Sequence, residues 1–152
     1  GLNGCWEQYA SGSALTREAR RAAAADPVRG GALLELAQRD GGEVKGPHVT
    51  EAALGGDPLS IELLADLGRW IGEGCAQMSA VLDPEIFVVG GGVIEAGDLI
   101  LEPARAAFAD NLTARGHRPV APIVAADMAN DAGIVGAAAL AREAVPLGPV
   151  AS

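Results

Sequence analysis

Asp83-Pro84-Glu85-Ile86-Phe87-Val88-Val89-Gly90-Gly91-Gly92 is the stretch that decides the fold. A continuous apolar run, Ile86 to Val89, rich in β-branched residues, stands between a proline break and a glycine turn, the signature of a short strand buried on both faces. A helical pattern from about Leu99 to Leu112 follows, then a second apolar run at Pro122-Ile123-Val124-Ala125, then a last helical pattern from about Ala132 to Glu143. Strand, helix, strand, helix in that order predicts a parallel α/β arrangement. Two strands alone make a poor parallel sheet with unpaired edges. Further strands are therefore expected from residues before Gly1.

Upstream of that unit the chain reads as helical. Gln8 to about Ala25 is alanine-rich with interspersed arginines and stops at Asp26-Pro27; Ala32, Leu33, Leu34, Leu36 and Ala37 form a second cluster that ends at Asp40-Gly41-Gly42. Thr50 is the expected N-cap of a short segment, Glu51 to Leu54, and Gly55-Gly56-Asp57-Pro58 breaks the chain before a long helix from about Leu59 to Leu82. In that helix Ile61, Leu64, Ala65, Leu67, Ile71, Cys75, Met78 and Val81 recur at threes and fours, which predicts one buried face with Cys75 as a core residue. The segment from Pro146 to Ser152 has no pattern and is expected to be a frayed tail.

Composition narrows the function classes. The 152 residues suffice for one domain with its own core, and 49% hydrophobic against 20% charged residues argues against disorder. Twenty acidic against 11 basic residues give a formal net charge of -9, which repels phosphate backbones and anionic lipid. Nucleic acid is not an expected partner of this segment. No run approaches the roughly 20 apolar residues of a membrane helix, the opening stretch lacks the pattern of a signal peptide, and two cysteines are too few for a disulfide framework. A cytoplasmic location, with no membrane partner, is the expectation.

The densest chemistry lies at the amino edge, in Gly1-Leu2-Asn3-Gly4-Cys5-Trp6-Glu7-Gln8-Tyr9-Ala10-Ser11-Gly12. An amino terminus is ordinarily the least ordered part of a domain. The chain is accordingly expected to be part of a longer protein. Cys5 alone cannot hold zinc, which needs four nitrogen or sulfur ligands, so its thiol reads either as one ligand of a shared site or as a free or buried thiol. Glu7, beside Trp6 and Tyr9, reads either as an acceptor for sugar hydroxyls or as a carboxylate favoured by a helix dipole. Gly90-Gly91-Gly92 allows close backbone approach to a ligand, or simply makes a tight turn; it lacks both the dinucleotide spacing and the lysine of a P-loop.

The same residues resemble a known family. The run from Gly1 to Gly12 is similar to the second half of the zinc and sugar signature of the ROK family of sugar kinases and repressors, Cys-x-Cys-Gly-x-x-Gly-Cys-x-Glu followed by a Tyr-Ala-Ser-Gly-like segment. Gly1, Gly4, Cys5 and Glu7 fall on its last positions. Val88-Val89-Gly90-Gly91-Gly92-Val93 resembles the turn that lies along the nucleotide in these kinases, and Asn130-Asp131-Ala132-Gly133-Ile134-Val135-Gly136-Ala137-Ala138 resembles their closing helix, with Asp131 at its start and Gly133 and Gly136 serving close packing.

The resemblance implies a fold, an activity and a set of roles. The fold is a helix-rich α/β carboxy-terminal part, residues 1–145, of an actin-like, ribonuclease H-like sugar kinase large domain, whose last helix, about 130–144, packs back on a small domain. The activity is ATP-dependent phosphorylation of glucose to glucose 6-phosphate, most like the glucokinases of actinobacteria. Cys5 is implied as a ligand of a structural zinc whose other ligands lie upstream, Glu7 as a binder of sugar hydroxyls, and Gly90, Gly91 and Gly92 as nucleotide-binding backbone. ATP with Mg2+ is the implied cofactor, glucose the partner, and a dimer or tetramer the assembly. The catalytic base, an aspartate of the amino-terminal half, matches no residue here, so this segment alone is expected to be inactive. His48 and His117 match no ligand position and are expected to be ordinary surface or loop histidines. The rival readings are a sugar-responsive ROK repressor and a non-catalytic sugar-binding module.

Overall fold

The computed structural model describes residues 4–128 and 131–144. Asn130, the first three residues and the tail from Pro146 lie outside the described residues. In chain order the elements are a 3-10 turn at Trp6–Gln8, α1 (Gly12–Ala25), α2 (Gly31–Arg39), α3 (Gly46–Leu54), α4 (Pro58–Leu82), β1 (Phe87–Val89), a 3-10 segment at Gly92–Ala96, α5 (Asp98–Asn111), β2 (Ile123–Ala125) and α6 (Ala132–Ala144). β1 and β2 pair in parallel, with Phe87 opposite Ile123 and Val89 opposite Ala125. The expected strand, helix, strand, helix order is present. Among the described residues no helix is long and apolar enough to cross a membrane.

Local chemistry sets most boundaries. Ser11 caps α1 by accepting from the Ala14 amide at 3.1 Å, and Asp57 caps α4 by accepting from the Ser60 amide at 2.8 Å, just ahead of Pro58. α1 therefore starts at Gly12 rather than at Gln8, which belongs to the preceding turn. α2 ends where Gly41 and Gly42 take positive φ, with the Gly42 amide donating back to the Ala37 carbonyl at 2.6 Å.

α4 is the spine. Leu64, Leu67, Ile71 and Cys75 are buried on its inner face, against Ile100, Ala104 and Phe108 of α5 and Ile123 of β2. The two helices touch backbone to backbone: a Cβ on Gly68 would stand 3.1 Å from Pro103 Cβ, and one on Gly72 would stand 2.8 Å from the Phe108 nitrogen. Phe87 of β1 meets Phe108 edge to face, with centroids 5.6 Å apart, and so ties the strand pair to the helices.

Four expectations fail here. β1 is not buried on both faces: Phe87 and Val89 pack on the core, but Val88 is 61% exposed, because among the described residues helices cover only one side of the strand pair. Val81 does not continue the buried stripe of α4; it is exposed, one residue from the helix end. Thr50 is not an N-cap, since α3 begins four residues earlier with Pro47 in its first turn, where a missing N–H costs nothing. Among the described residues Gly133 and Gly136 make no close packing, for a Cβ at either would meet nothing there within 4 Å.

His48 also departs from expectation. It is buried inside the first turn of α3, where its Nδ1 accepts from the Lys45 amide at 3.2 Å and its Nε2 lies 3.1 Å from Asp40 Oδ2. His117 is an exposed loop residue, as expected.

Candidate functional site

The amino-edge signature is bolted to α4 by its aromatic residues. Trp6 donates its indole N–H to the Trp70 carbonyl at 2.7 Å, and the Tyr9 and Trp70 rings stack with centroids 4.6 Å apart. Arg69 lies over the other ring partner, 4.6 Å from the Trp70 centroid, and Arg17 donates to the Gln8 carbonyl at 2.6 Å. The indole of Trp6 occupies the place a side chain would take on Gly74. Held this way, the turn presents Glu7 and Cys5 to solvent.

Cys5 is the single thiol of this edge, and among the described residues no group of three His, Cys, Asp or Glu side chains could hold a metal ion. Cys75 is in the α4 core, His48 is engaged with Asp40, and His117 is on a distant loop in sequence, so the described residues do not by themselves make the four-ligand zinc site implied for Cys5.

The two cysteines should differ in reactivity. Burial pushes the Cys75 thiol up from its ordinary 9.0 to about 11. At about pH 8 iodoacetamide should label Cys5 in metal-free protein and spare Cys75 until the fold is opened. A raised thiol pKa favours the folded state fully below 9.0, and that contribution is lost as pH climbs toward about 11. Mass spectrometry of the alkylated chain, and urea midpoints across that window, check both statements.

A cleft of about 570 Å³ lies where the signature's downstream end meets the glycine turn. Gly12 and Thr16 of α1, Pro47 and Thr50 of α3, and Gly92 and Val93 line it. Glycines let the walls approach: a Cβ on Gly12 would touch Val93 at 3.4 Å, and one on Gly46 would touch Thr16 Oγ1 at 3.5 Å. Gly91, at φ +95°, needs the left-handed freedom of glycine to swing the chain from β1 into the 3-10 segment. The volume is that of a small-molecule site. At its rim Glu51 accepts from Arg39 at 2.7 Å, and that hydrogen bond, with the carboxylate charge, raises the guanidinium above its ordinary range.

Of the predicted residues, Gly92 lines the cleft, Gly90 and Gly91 form the turn that leads into it, and Glu7 and Cys5 stand outside its wall on the docked 3-10 turn. Sequence reasoning missed the α3 wall and the Trp6 to Gly74 lock. The available signals were Gly46-Pro47, a helix start, and the Gly68, Gly72, Gly74 series within one helix.

Comparison with known proteins fits this layout. The pattern of the ROK family matches residues 1–144. The chain belongs to the ROK family. It is 44% identical to the glucokinase of Streptomyces coelicolor over 147 residues, 97% of this chain and 46% of that protein, and 29% identical to the glucokinase of Halalkalibacterium halodurans, over 94% of this chain and 42% of that protein. A crystal structure of a ROK family glucokinase from Streptomyces griseus, in complex with glucose and AMPPNP, superposes with a TM-score of 0.86 at 44% identity, covering 94% of this chain and 46% of that one. The chain thus spans about half the length of the curated relatives it matches. Its helix-rich α/β architecture is that of the actin-like sugar kinases.

Proposed function

We propose that this ROK chain is the carboxy-terminal part, residues 1–145, of the large domain of an ATP-dependent glucokinase, transferring the γ-phosphoryl group of ATP to the 6-hydroxyl of glucose. The observation that carries the reading is the cleft between Gly12 and the Gly90-Gly91-Gly92 turn, beside a docked Glu7, in a chain that superposes closely on a glucokinase crystallised with glucose and AMPPNP. Glu7 accepts hydrogen bonds from sugar hydroxyls, and a fixed carboxylate is suited to that because a charged acceptor makes the stronger bond. The glycine turn offers backbone without side chains, so a nucleotide can lie against it. The Mg2+ that accompanies ATP would supply charge neutralisation for the transferred phosphoryl group. Cys5 supplies one thiolate to a structural zinc, the remaining ligands coming from outside this chain. The base that takes the hydroxyl proton is likewise assigned to no residue here. α6 packs back on the kinase small domain, the whole works in the cytoplasm, and it assembles as a dimer or tetramer.

The test is an ATP and glucose assay on the natural polypeptide that carries this sequence, with Glu7→Gln beside it. Glucose-dependent ADP formation is expected, and the variant should raise the KM for glucose about tenfold or more, as loss of a hydrogen bond to a charged group does, with the KM for ATP unchanged. No turnover of glucose by the unaltered protein overturns the reading.

A further inference from the structure

The start of α3 has an apolar anchor on its core side, Val44 and Val49, both buried. Gly46 carries no side chain and Pro47 is exposed, yet both line the cleft together with Thr50 and Glu51 one turn on. A polar network beneath the turn adds to that anchor. The His48 imidazole, 2% exposed, accepts the Lys45 N–H at Nδ1, which leaves the proton on Nε2 to be donated to Asp40. It thereby joins the end of α2 to the first turn of α3. Lys45 Nζ donates to the Asp40 carbonyl at 3.3 Å, and from α1 Arg20 donates to the Val44 carbonyl at 2.8 Å while pairing with Glu43 at 2.9 Å. The loop from Asp40 to Lys45 contains Gly41 and Gly42 at positive φ, which loosen the backbone that the imidazole then ties down.

We infer that His48 is a positioning residue for the nucleotide: through the Lys45 amide and the Asp40 carboxylate it holds the first turn of α3, and with it one wall of the cleft, in the form that receives ATP. The inference rests on the reading of that cleft as the nucleotide site. His48 itself touches no ligand. Its side chain points under the helix, so its influence is on the shape of the wall and not on the phosphoryl group.

The experiment measures binding of AMPPNP and of glucose, by calorimetry, to the natural polypeptide that carries this sequence and to three variants. His48→Ala removes both bonds and should weaken AMPPNP about tenfold, the scale of a lost helix cap. His48→Asn places an amide oxygen near the position of Nδ1, can still accept the Lys45 N–H, and should bind within about threefold of the unaltered protein. Asp40→Ala trims a half-exposed side chain, which leaves the core intact should His48→Ala fail to fold, and should weaken AMPPNP severalfold. Glucose affinity should stay unchanged throughout, and in turnover the KM for ATP should rise at constant kcat. Unaltered AMPPNP affinity in Asp40→Ala and in any folded His48→Ala, or an equal loss of glucose affinity, overturns the inference. Failure of the unaltered protein to bind AMPPNP overturns instead the reading of the cleft beneath it.

Discussion

Gly72→Ala is expected to lower the stability of the fold by about 3 kcal/mol or more, at the top of the range for an overpacked core. A methyl group there would overlap the Ala104 carbonyl and stand 2.8 Å from the Phe108 nitrogen and 2.9 Å from the Ala107 Cβ. The obstacle is the backbone of α5, which cannot rotate aside as a side chain could, so the helices must separate. Separation would also open the contacts around Phe108, which is fully buried and carries the edge-to-face contact to β1. The change should appear as a lower urea midpoint with an unchanged slope. Gly31→Ala is the control, since a Cβ there meets nothing within 4 Å and should move stability by less than about 1 kcal/mol. Equal midpoints for the two variants would mean that α4 and α5 are not in backbone contact in solution.

What the sequence made legible, and what it hid, follows from the range of the forces involved. Helix ends written in local chemistry were readable: Asp26-Pro27, Asp40-Gly41-Gly42 and Asp57-Pro58 each act within a turn of the break they make. The parallel strand pair was readable from two apolar runs separated by a helical pattern. Burial was not, because it depends on which element covers which face: Val88 has the composition of a core residue and is exposed, while His48 has that of a surface residue and is buried. Thr50 misled for a related reason. A threonine before a helical run resembles a cap, but Pro47 and the His48 bond to Lys45 start the helix a turn earlier and leave Thr50 on the cleft. In the candidate site, Gly92 was found because a glycine turn after a strand has a meaning of its own. Gly12 and Thr16 acquire theirs only when α1 is laid against Val93, a contact about 80 residues apart in the chain.

Gly74→Ala is expected to weaken glucose binding about a hundredfold while leaving most of the fold in place, if Glu7 binds the sugar as proposed. The place of the new methyl group is filled by the indole of Trp6, with Nε1 only 2.5 Å from it, so the ring must leave. Leaving breaks its hydrogen bond to the Trp70 carbonyl and removes one anchor of the Trp6–Gln8 turn, beside the Tyr9 stack on Trp70 and the Arg17 bond to the Gln8 carbonyl. Glu7 is then held less firmly, and the ordering it had before binding must be supplied at the moment of binding, on top of the weakened hydrogen bonds themselves. Core stability should change little, because Trp6 is already 43% exposed and belongs to no buried cluster. Tryptophan emission should move to longer wavelength as the indole enters water, and calorimetry should show the loss of glucose affinity with AMPPNP binding retained. The separation of the two ligands is the informative part. The cleft is lined from α1, α3 and the glycine turn, whereas the three atoms nearest a Cβ on Gly74 all belong to Trp6 of the 3-10 turn. A variant that emits at longer wavelength yet binds glucose normally would show that Glu7 does not need the docked turn, and would remove the sugar-binding role from this edge of the chain.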